Sequence, residues 1–289
     1  MKSSDPALLK TAIDAARMAG KVLMASYGKL RNSQISVKSK NDFVTEIDKK
    51  SERLIIDRIQ KSFPGDRIQA EESGFTPGRP SHATGQSRRM TGRDRLWIID
   101  PLDGTSNYIH QFPMFSISIA VQENGVLRAG VVYDPLHDEL FFAQKGKGAY
   151  LNKKRIRVTR VGRLADALMA TGIPFRARER FEEYLESFKK ISVSSVGLRR
   201  GGSAALDLAY VACGRFDGFW EIDLSPWDIA AGDLLVREAG GFVSDVWGGP
   251  KHLKTGDTLA SNGRIHKELS TITSRIFSSS QKDKTCPSN

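Results

Sequence analysis

Two carboxylates stand where an apolar run ends in the segment WIIDPLDGTSN, residues 97–107. If the run is a buried strand, Asp100 and Asp103 lie close together at its end, and two bare carboxylates repel, so that one tends to hold a proton. A divalent cation removes this conflict, and Mg²⁺ prefers carboxylate, carbonyl and phosphate oxygens as ligands. The carbonyl of Leu102 can supply a third ligand. The residue types therefore indicate magnesium as a candidate occupant.

A glycine and a hydroxyl follow these carboxylates directly. Gly104 and Thr105 resemble the start of a helix or tight turn, whose backbone N–H groups can hold a phosphate. For such residues alone a structural role is the more frequent one, because Asp-Pro and Asp-Gly are common turn dipeptides and Asp often caps helices. The choice depends on whether other acidic residues converge on the same place.

Three other segments carry carboxylates at element boundaries. AEESG places Glu71 after a predicted strand, and SPWDIAAGD places Asp228 in the first turn of an apolar helix. NDFVTEID places Asp48 three residues after Thr45, where the acidic partner of a capping box stands. Each carboxylate also has a local structural explanation. Glu71 can lie in a solvated loop, Asp228 can complement the helix dipole, and Asp48 can belong to a helix cap. Spacing alone does not show that the four segments meet.

The elements of the first half, residues 1–150, are predicted to be two helices packed on an antiparallel sheet that carries most of the metal ligands. Asp5 and Pro6 begin one helix, and another begins near Thr45. A loop rich in Gly, Pro, Ser and Arg is expected over residues 74–95. Alternating and apolar runs then predict strands in quick succession, among them LWIID, FSISIAV and VLRAGVVYD.

The second half, residues 151–275, alternates between strands and helices and is expected to contain the substrate-binding residues. A short strand is predicted over residues 193–198, followed by a buried helix in SAALDLAYVACG. Such alternation indicates a layered α/β arrangement. Residues 276–289, which end in the polar run SSSQKDKTCPSN, are predicted to form a disordered tail.

The charge of the chain suggests an anionic partner without naming one. The 289 residues carry a net charge of +11, with much of the excess in residues 79–95 and residues 145–163. A solvated basic face is the more common meaning of such segments, and contact with RNA or an acidic protein surface is the alternative. No nucleic-acid-binding motif is present, and no aromatic residue is expected to stack among these cations.

Cysteine usage and hydropathy predict the compartment. Two cysteines, Cys213 and Cys286, argue against a disulfide framework. The N-terminus lacks the apolar run of a signal peptide, and the apolar segments are short for a membrane span. We therefore predict a cytoplasmic protein without membrane contact.

The acidic segments together carry a family resemblance. WIIDPLDGTSNY and WDIAAGDLLVREAGG resemble the two signature motifs of the inositol monophosphatase family, and AEESG and NDFVTEID fall in the places of its other acidic motifs. The resemblance covers about residues 5–270. It implies an α/β fold of the sugar-phosphatase type, with helix and sheet layers stacked in the order α-β-α-β-α. It also implies a homodimer, two to three Mg²⁺ ions and sensitivity to lithium.

The resemblance assigns roles residue by residue. It gives the metal to Glu71, Asp100, Asp103, Asp228 and the Leu102 carbonyl. Asp48 and Thr105 would orient and activate the attacking water together with Glu71. The residues that would hold the substrate phosphate or hydroxyls are Asp103, Gly104, Thr105, Gly202, Ser203, Ala204, Glu221 and Asp228. One departure is a loop after Glu71 that is longer and more basic than is usual in the family.

The implied activity is Mg²⁺-dependent hydrolysis of a phosphate monoester, with myo-inositol 1-phosphate as the leading substrate. No cysteine or histidine is suitably placed as a nucleophile, which favours attack by a metal-activated water. A relative acting on fructose 1,6-bisphosphate or a 3′-phosphonucleotide is the alternative enzyme. The segment RRGGSAALDLAYVACGRFDGFWEI is most similar to the bacterial branch, whose members also act in ribosomal RNA transcription. A binding role in the transcription machinery is therefore the alternative from another class.

Overall fold

The computed structural model describes residues 5–39, 42–78, 94–175 and 177–277. The α-helices within these residues are α1 (Pro6–Ser26), α2 (Glu46–Ser62), α3 (Thr105–Ile109), α4 (Phe181–Ser194), α5 (Ala204–Ala212), α6 (Pro226–Glu238), α7 (His252–Thr255) and α8 (His266–Phe277). The strands are β1 (Ile35–Ser39), β2 (Asp42–Thr45), β3 (Arg67–Ala70), β4 (Gly74–Thr76), β5 (Arg95–Asp103), β6 (Ser116–Glu123), β7 (Val126–Asp134), β8 (Glu139–Gln144), β9 (Gly148–Leu151), β10 (Lys154–Ile156), β11 (Leu168–Thr171), β12 (Gly197–Arg199), β13 (Gly218–Glu221), β14 (Phe242–Ser244) and β15 (Thr258–Ser261).

The helices and sheets stack in the layer order that the resemblance implied. Helices α1 and α2 cover one face of an eight-stranded sheet, and α5 and α6 lie between that sheet and a five-stranded one. Helices α4 and α8 pack together on the outer face of the smaller sheet. The expectation of an α-β-α-β-α fold is thus confirmed.

The larger sheet has the order β10-β9-β8-β7-β6-β5-β3-β4. Its neighbours are antiparallel except β3 and β5, which run parallel. The prediction of an antiparallel sheet was therefore wrong at this pair. The two parallel strands end at the same edge, so Glu71, directly after β3, lies beside the end of β5, and its backbone N–H donates to the carbonyl of Ile99 at 3.2 Å.

Strand β5 is buried on both faces, which explains its continuous apolar run. Trp97 and Ile99 pack in the core beneath α1 and α2, whereas Ile98 points into the core that contains α5 and α6. The strand has β3 on one side and β6 on the other along this run. A strand held in this way gives the residues at its end fixed positions.

Helices begin where their capping residues predicted. Some of the short elements, however, differ from the predictions. The carboxylate of Asp5 accepts a hydrogen bond from the N–H of Ala7 at the start of α1. The strand predicted over residues 193–198 exists but is shorter and begins later, as β12 (Gly197–Arg199), because α4 continues to Ser194 and buries Ile191 on its inner face. The hairpin of β1 and β2 and the short elements β4 and α7 were not predicted.

Part of the predicted irregular structure lies outside the described residues. This holds for residues 79–93 of the basic loop and for residues 278–289 of the tail. The prediction that the tail begins at residue 276 was wrong, because Ile276 and Phe277 are buried residues of α8. Cys213 is a free thiol. Among the described residues, the helices are each too short or too polar to cross a bilayer.

Candidate active site

A β-bulge turns the two carboxylates of β5 to the same side. The strand continues past Asp100 to Asp103, pairing Asp100 with Ser118 and Asp103 with Ser116 of β6. Residues three apart in a regular strand point to opposite faces, and one extra residue in the bulge cancels that alternation. The interpretation that the strand ends at Asp100 was therefore wrong, and the bulge at Pro101 and Leu102 is what brings the carboxylates together.

A third carboxylate reaches the same place from the start of α6. One carboxylate oxygen each of Asp100, Asp103 and Asp228 lies within 4.8 Å of the others, and all three residues are buried. The N–H of Ser225 donates to Asp228 Oδ2 at 2.8 Å in a capping box, which fixes the side chain. Asp228 therefore caps its helix, as its local alternative proposed, and also joins the acidic cluster.

The electrostatics of this cluster fit a divalent cation. Burial raises the pKa of Asp100 well above its ordinary value of 3.8, and the negative charges of Glu71, Asp103 and Asp228 raise it further. Burial also raises the pKa of Asp103 to about 6, against the opposing hydrogen bond from Ser203. Buried carboxylates that repel one another need a compensating charge, and a group of oxygen donors suits Mg²⁺. Glu71 lines the same pocket beside the cluster.

A buried carboxylate and a hydroxyl form a pair next to this cluster. Thr45 caps α2, its N–H donates to Asp48 Oδ2 at 2.9 Å, and its hydroxyl donates to the same oxygen. The hydroxyl of Thr105 lies 3.0 Å from Asp48 Oδ1 and 3.0 Å from the carbonyl oxygen of Leu102. Since this hydroxyl has one proton, it donates to only one of the two at a time. Burial raises the pKa of Asp48 to about 6.

The turn between β5 and α3 requires glycine. Gly104 has φ of +88°, and a Cβ there would lie 3.0 Å from the carbonyl oxygen of Met114 and 3.2 Å from that of Gly202. It is also the N-cap of α3, so the first backbone N–H groups of this short helix lack helical acceptors. Asn107 ties the turn to the opposite wall by donating to the carbonyls of Met114 at 2.6 Å and Gly201 at 2.9 Å.

The opposite wall comes from the second half of the chain. Gly202, Ala204 and Glu221 line the same pocket as the acidic cluster. Ser203 is fully buried, and its hydroxyl donates to Asp103 Oδ2. The N–H of Ala205 donates to the same oxygen at 2.9 Å. The Ser203 hydroxyl therefore holds a carboxylate of the cluster instead of facing the pocket.

Several lining residues were not singled out by the sequence. Residues 173–175 and Asp223 contribute to the pocket, and Arg200 does so with a guanidinium. In the sequence, Arg200 is the second of two arginines directly before the Gly-Gly-Ser segment. Nothing in the sequence pattern marked residues 173–175, because they follow β11 without a charged or glycine-rich signature.

Comparisons with known proteins agree with this architecture. The chain matches the model of the inositol monophosphatase family over residues 6–280. It is 47% identical to "Nus factor SuhB" of Salmonella typhimurium over 262 residues, which are 91% of this chain and 94% of the relative. It is 43% identical to "Inositol-1-monophosphatase" of Mesorhizobium japonicum over 263 residues, again 91% and 94% of the two chains.

Solved structures show the same likeness. The extragenic suppressor protein suhB from Bartonella henselae superposes with a TM-score of 0.85 at 40% identity, covering 92% of this chain and 98% of that one. The inositol monophosphatase from Anabaena gives a TM-score of 0.78 at 40% identity over 93% and 96% of the two chains. The motifs, the layered fold and these relatives lead to one conclusion: this chain belongs to the inositol monophosphatase family.

Proposed function

We propose that the protein is a Mg²⁺-dependent phosphatase that hydrolyses phosphate monoesters, with myo-inositol 1-phosphate as the preferred substrate. The observation that carries the proposal is the convergence of Asp100, Asp103 and Asp228 within 4.8 Å, beside the Asp48–Thr105 pair. These three carboxylates, with Glu71 and the Leu102 carbonyl, would hold two to three Mg²⁺ ions. Bound there, Mg²⁺ would activate water and offset the charge that develops on the phosphate.

Residues of the chain would transfer the proton, bind the phosphate and position the substrate. Asp48 accepts the Thr105 proton, which leaves the Thr105 oxygen free to accept a proton from water. The pKa of Asp48, about 6, keeps it mostly ionised near neutral pH, as a proton acceptor requires. The N–H groups of Gly104 and Thr105 would bind phosphate oxygens at the start of α3. Glu221 and Ala204 would position the hydroxyl groups of the substrate.

The substrate class is supported from two directions. The Mesorhizobium japonicum relative is named an inositol-1-monophosphatase, which favours an inositol ester. Arg200 lines the pocket and is the one lysine or arginine among its described lining residues, which keeps fructose 1,6-bisphosphate and 3′-phosphonucleotides as alternatives. Measuring kcat/KM for inositol 1-phosphate, fructose 1,6-bisphosphate and a 3′-phosphonucleotide identifies the preferred substrate. An inositol ester hydrolysed much more slowly than the others would overturn the leading substrate.

The substitution that tests the site is Asp100→Asn. We expect Mg²⁺-dependent phosphate release to fall by about 100-fold or more, because the substitution removes charge that compensates the cations. Asp57→Asn, at an exposed position on α2, is the matched control and should retain full activity. Retained activity in a folded Asp100→Asn protein would contradict the metal assignment, and inhibition by lithium is a secondary check.

A binding role in transcription is the second candidate. The Salmonella typhimurium relative, 47% identical, is named a Nus factor. This role need not use the pocket, so Asp100→Asn should keep it. Affinity capture of RNA polymerase and its elongation factors from bacterial lysate by the wild type and by this variant tests the role. If folded wild-type protein captured neither RNA polymerase nor an elongation factor, this result would contradict the binding role.

We also propose that the protein is a cytoplasmic homodimer. Three apolar side chains on the outer face of α4 support the dimer, because Phe181, Leu185 and Phe188 are between 37% and 41% exposed. A specific interface of ordinary size buries about 800 Å² on each partner, and large apolar side chains at its centre are typical.

A further inference from the structure

The edge of the larger sheet far from the pocket carries a concentration of cations. They lie in the β8–β9 turn, in the β9–β10 hairpin and directly after it. All are exposed, and none forms an ion pair with a side chain in the described part of the chain: Lys145, Lys147, Lys153, Lys154, Arg155, Arg157 and Arg160. We call this set the basic edge. Among the described strands, β10 has a neighbour on one side only, β9, so its other edge is not paired within the described sheet.

The acidic groups near the basic edge are already engaged. Glu238 of α6 accepts hydrogen bonds from the N–H groups of Gly146 at 2.7 Å and Gly148 at 2.8 Å. Asp166 is paired with Arg163 at 2.8 Å. The carboxylate of Glu139 is paired with Arg215. Within the described ranges, none of these three carboxylates forms an ion pair with a lysine or arginine of the basic edge.

Two aromatic rings adjoin these cations, contrary to the expectation from the sequence. Phe142 and Tyr150 are partners in the register of β8 and β9, and their rings stack with centroids 5.3 Å apart and planes at 11°. Tyr150 is paired in turn with Arg155 of β10. A Cβ on Gly148 would lie 2.8 Å from Arg155 Nε, so the guanidinium extends over the backbone of that glycine. The row thus combines two half-buried rings with an exposed guanidinium.

This combination indicates which polyanion fits. Phosphates pair with unpaired lysines and arginines, and unstacked bases lie on aromatic rings and guanidinium planes of an open sheet. An acidic protein would use the charges but leave the rings without a role. We propose that the basic edge binds single-stranded nucleic acid through these cations, Tyr150 and Arg155. Strands β10 and β5 are five spacings apart in the sheet, or about 24 Å, so the proposal does not depend on the phosphatase.

The charge component can be tested with matched triple variants. One changes Lys147, Lys153 and Lys154 to Gln, and the control changes Lys10, Lys21 and Lys61 to Gln at exposed positions on α1 and α2. The probe is a fluorescent single-stranded oligonucleotide of about 12 nucleotides, as RNA and as DNA, titrated at several salt concentrations. For single strands, each phosphate contact adds about 0.7 to the magnitude of the slope of log K against log salt concentration. The first variant removes three cations, so the magnitude of this slope should fall by about 2. The control should bind like the wild type.

The stacking component needs a separate variant. Tyr150→Leu should weaken binding by about fivefold or more, whereas Tyr150→Phe, which keeps the ring, should bind like the wild type. Equal losses in the two lysine variants, or unchanged binding by Tyr150→Leu, would overturn the proposal. Competition by polyglutamate as effective as that by RNA would also overturn it. Phosphatase activity, measured on the same samples, should be unchanged in all variants, which separates this test from that of the proposed enzyme.

Discussion

At the scale of single residues, the carboxylates of the pocket make the metal-free protein sensitive to pH. Burial raises the pKa of Asp48 to about 6 from its ordinary value of 3.8, and that of Asp103 also to about 6. Both groups bind protons more tightly when folded, so their contribution to stability is full below about pH 4 and is lost as pH rises through about 6. For Asp48 alone the loss is about 3 kcal/mol.

This linkage predicts how Mg²⁺ changes thermal unfolding. In the presence of EDTA, Tm should decrease between pH 4 and pH 7.5, and the increase in Tm on adding Mg²⁺ should be larger at pH 7.5 than at pH 5. The reason is that the cation compensates carboxylates that are ionised only at the higher pH. Scanning calorimetry of the wild type and Asp100→Asn measures both effects. An equal Mg²⁺ effect at the two pH values, or in the two proteins, would contradict this account.

Asp207 is a residue of α5 whose burial has a measurable cost. It is 1% exposed, and neither carboxylate oxygen has a hydrogen-bond partner among the residues that the structure describes. Burial, and then the charges of Glu221 and Asp103, raise its pKa well above the ordinary value. A neutral amide of the same shape avoids the ionisation problem. We expect Asp207→Asn to stabilise the metal-free protein by about 1–3 kcal/mol at pH 7.5.

The pH dependence separates this explanation from others. The stabilisation should shrink towards pH 5, since the wild-type carboxyl is then protonated in a growing share of unfolded chains as well. Urea unfolding at the two pH values measures it. A destabilised Asp207→Asn protein at pH 7.5 would mean that the ionised carboxylate has a favourable partner after all.

At the scale of elements, the sequence predicted the parts of the site better than their geometry. The apolar run of β5 and the Thr45 cap of α2 are local patterns, and both were predicted, although β5 continues past Asp100 to Asp103. The bulge at Pro101 and Leu102 was not predicted, because it is defined by the register with β6. The resemblance placed Ser203 among the substrate-binding residues, and nothing in the sequence shows that its hydroxyl donates to Asp103.

The end of β11 gives a prediction about substrate positioning. Gly172 follows that strand, and a Cβ there would lie 2.0 Å from the carboxylate of Glu221. Gly172→Ala should displace this carboxylate and raise KM for inositol 1-phosphate by about tenfold. An increase of this size is expected when one hydrogen bond to a charged group is lost. The Mg²⁺ concentration for half-maximal activity should stay within about twofold of the wild-type value, because Glu221 is not one of the three carboxylates that lie within 4.8 Å of one another. Gly162→Ala, where a Cβ would have no described atom within 4 Å, is the control. An unchanged KM would remove Glu221 from the substrate site.

At the scale of the whole molecule, the pocket joins segments that are far apart in the chain. Asp48, Glu71, Asp103 and Asp228 come from four elements or their ends, brought together by the parallel pair of β3 and β5 and by α6 between the sheets. Local patterns gave each segment a sufficient structural explanation. Only the family resemblance, with its order and spacing of motifs, predicted that they converge.

The outer face of α4 carries the prediction for assembly. Leu185 is 41% exposed on this helix, between Phe181 and Phe188 one helical turn away on either side. A buried glutamate at the centre of an apolar interface would be desolvated without a partner. We expect Leu185→Glu to shift the mass in solution from twice the 32.0 kDa of a single chain to one chain. Met18→Glu, also at a position 41% exposed but on α1, should leave the dimer intact. Light scattering during size-exclusion chromatography measures the masses, and a wild type that elutes as a single chain at micromolar concentration would contradict the homodimer itself.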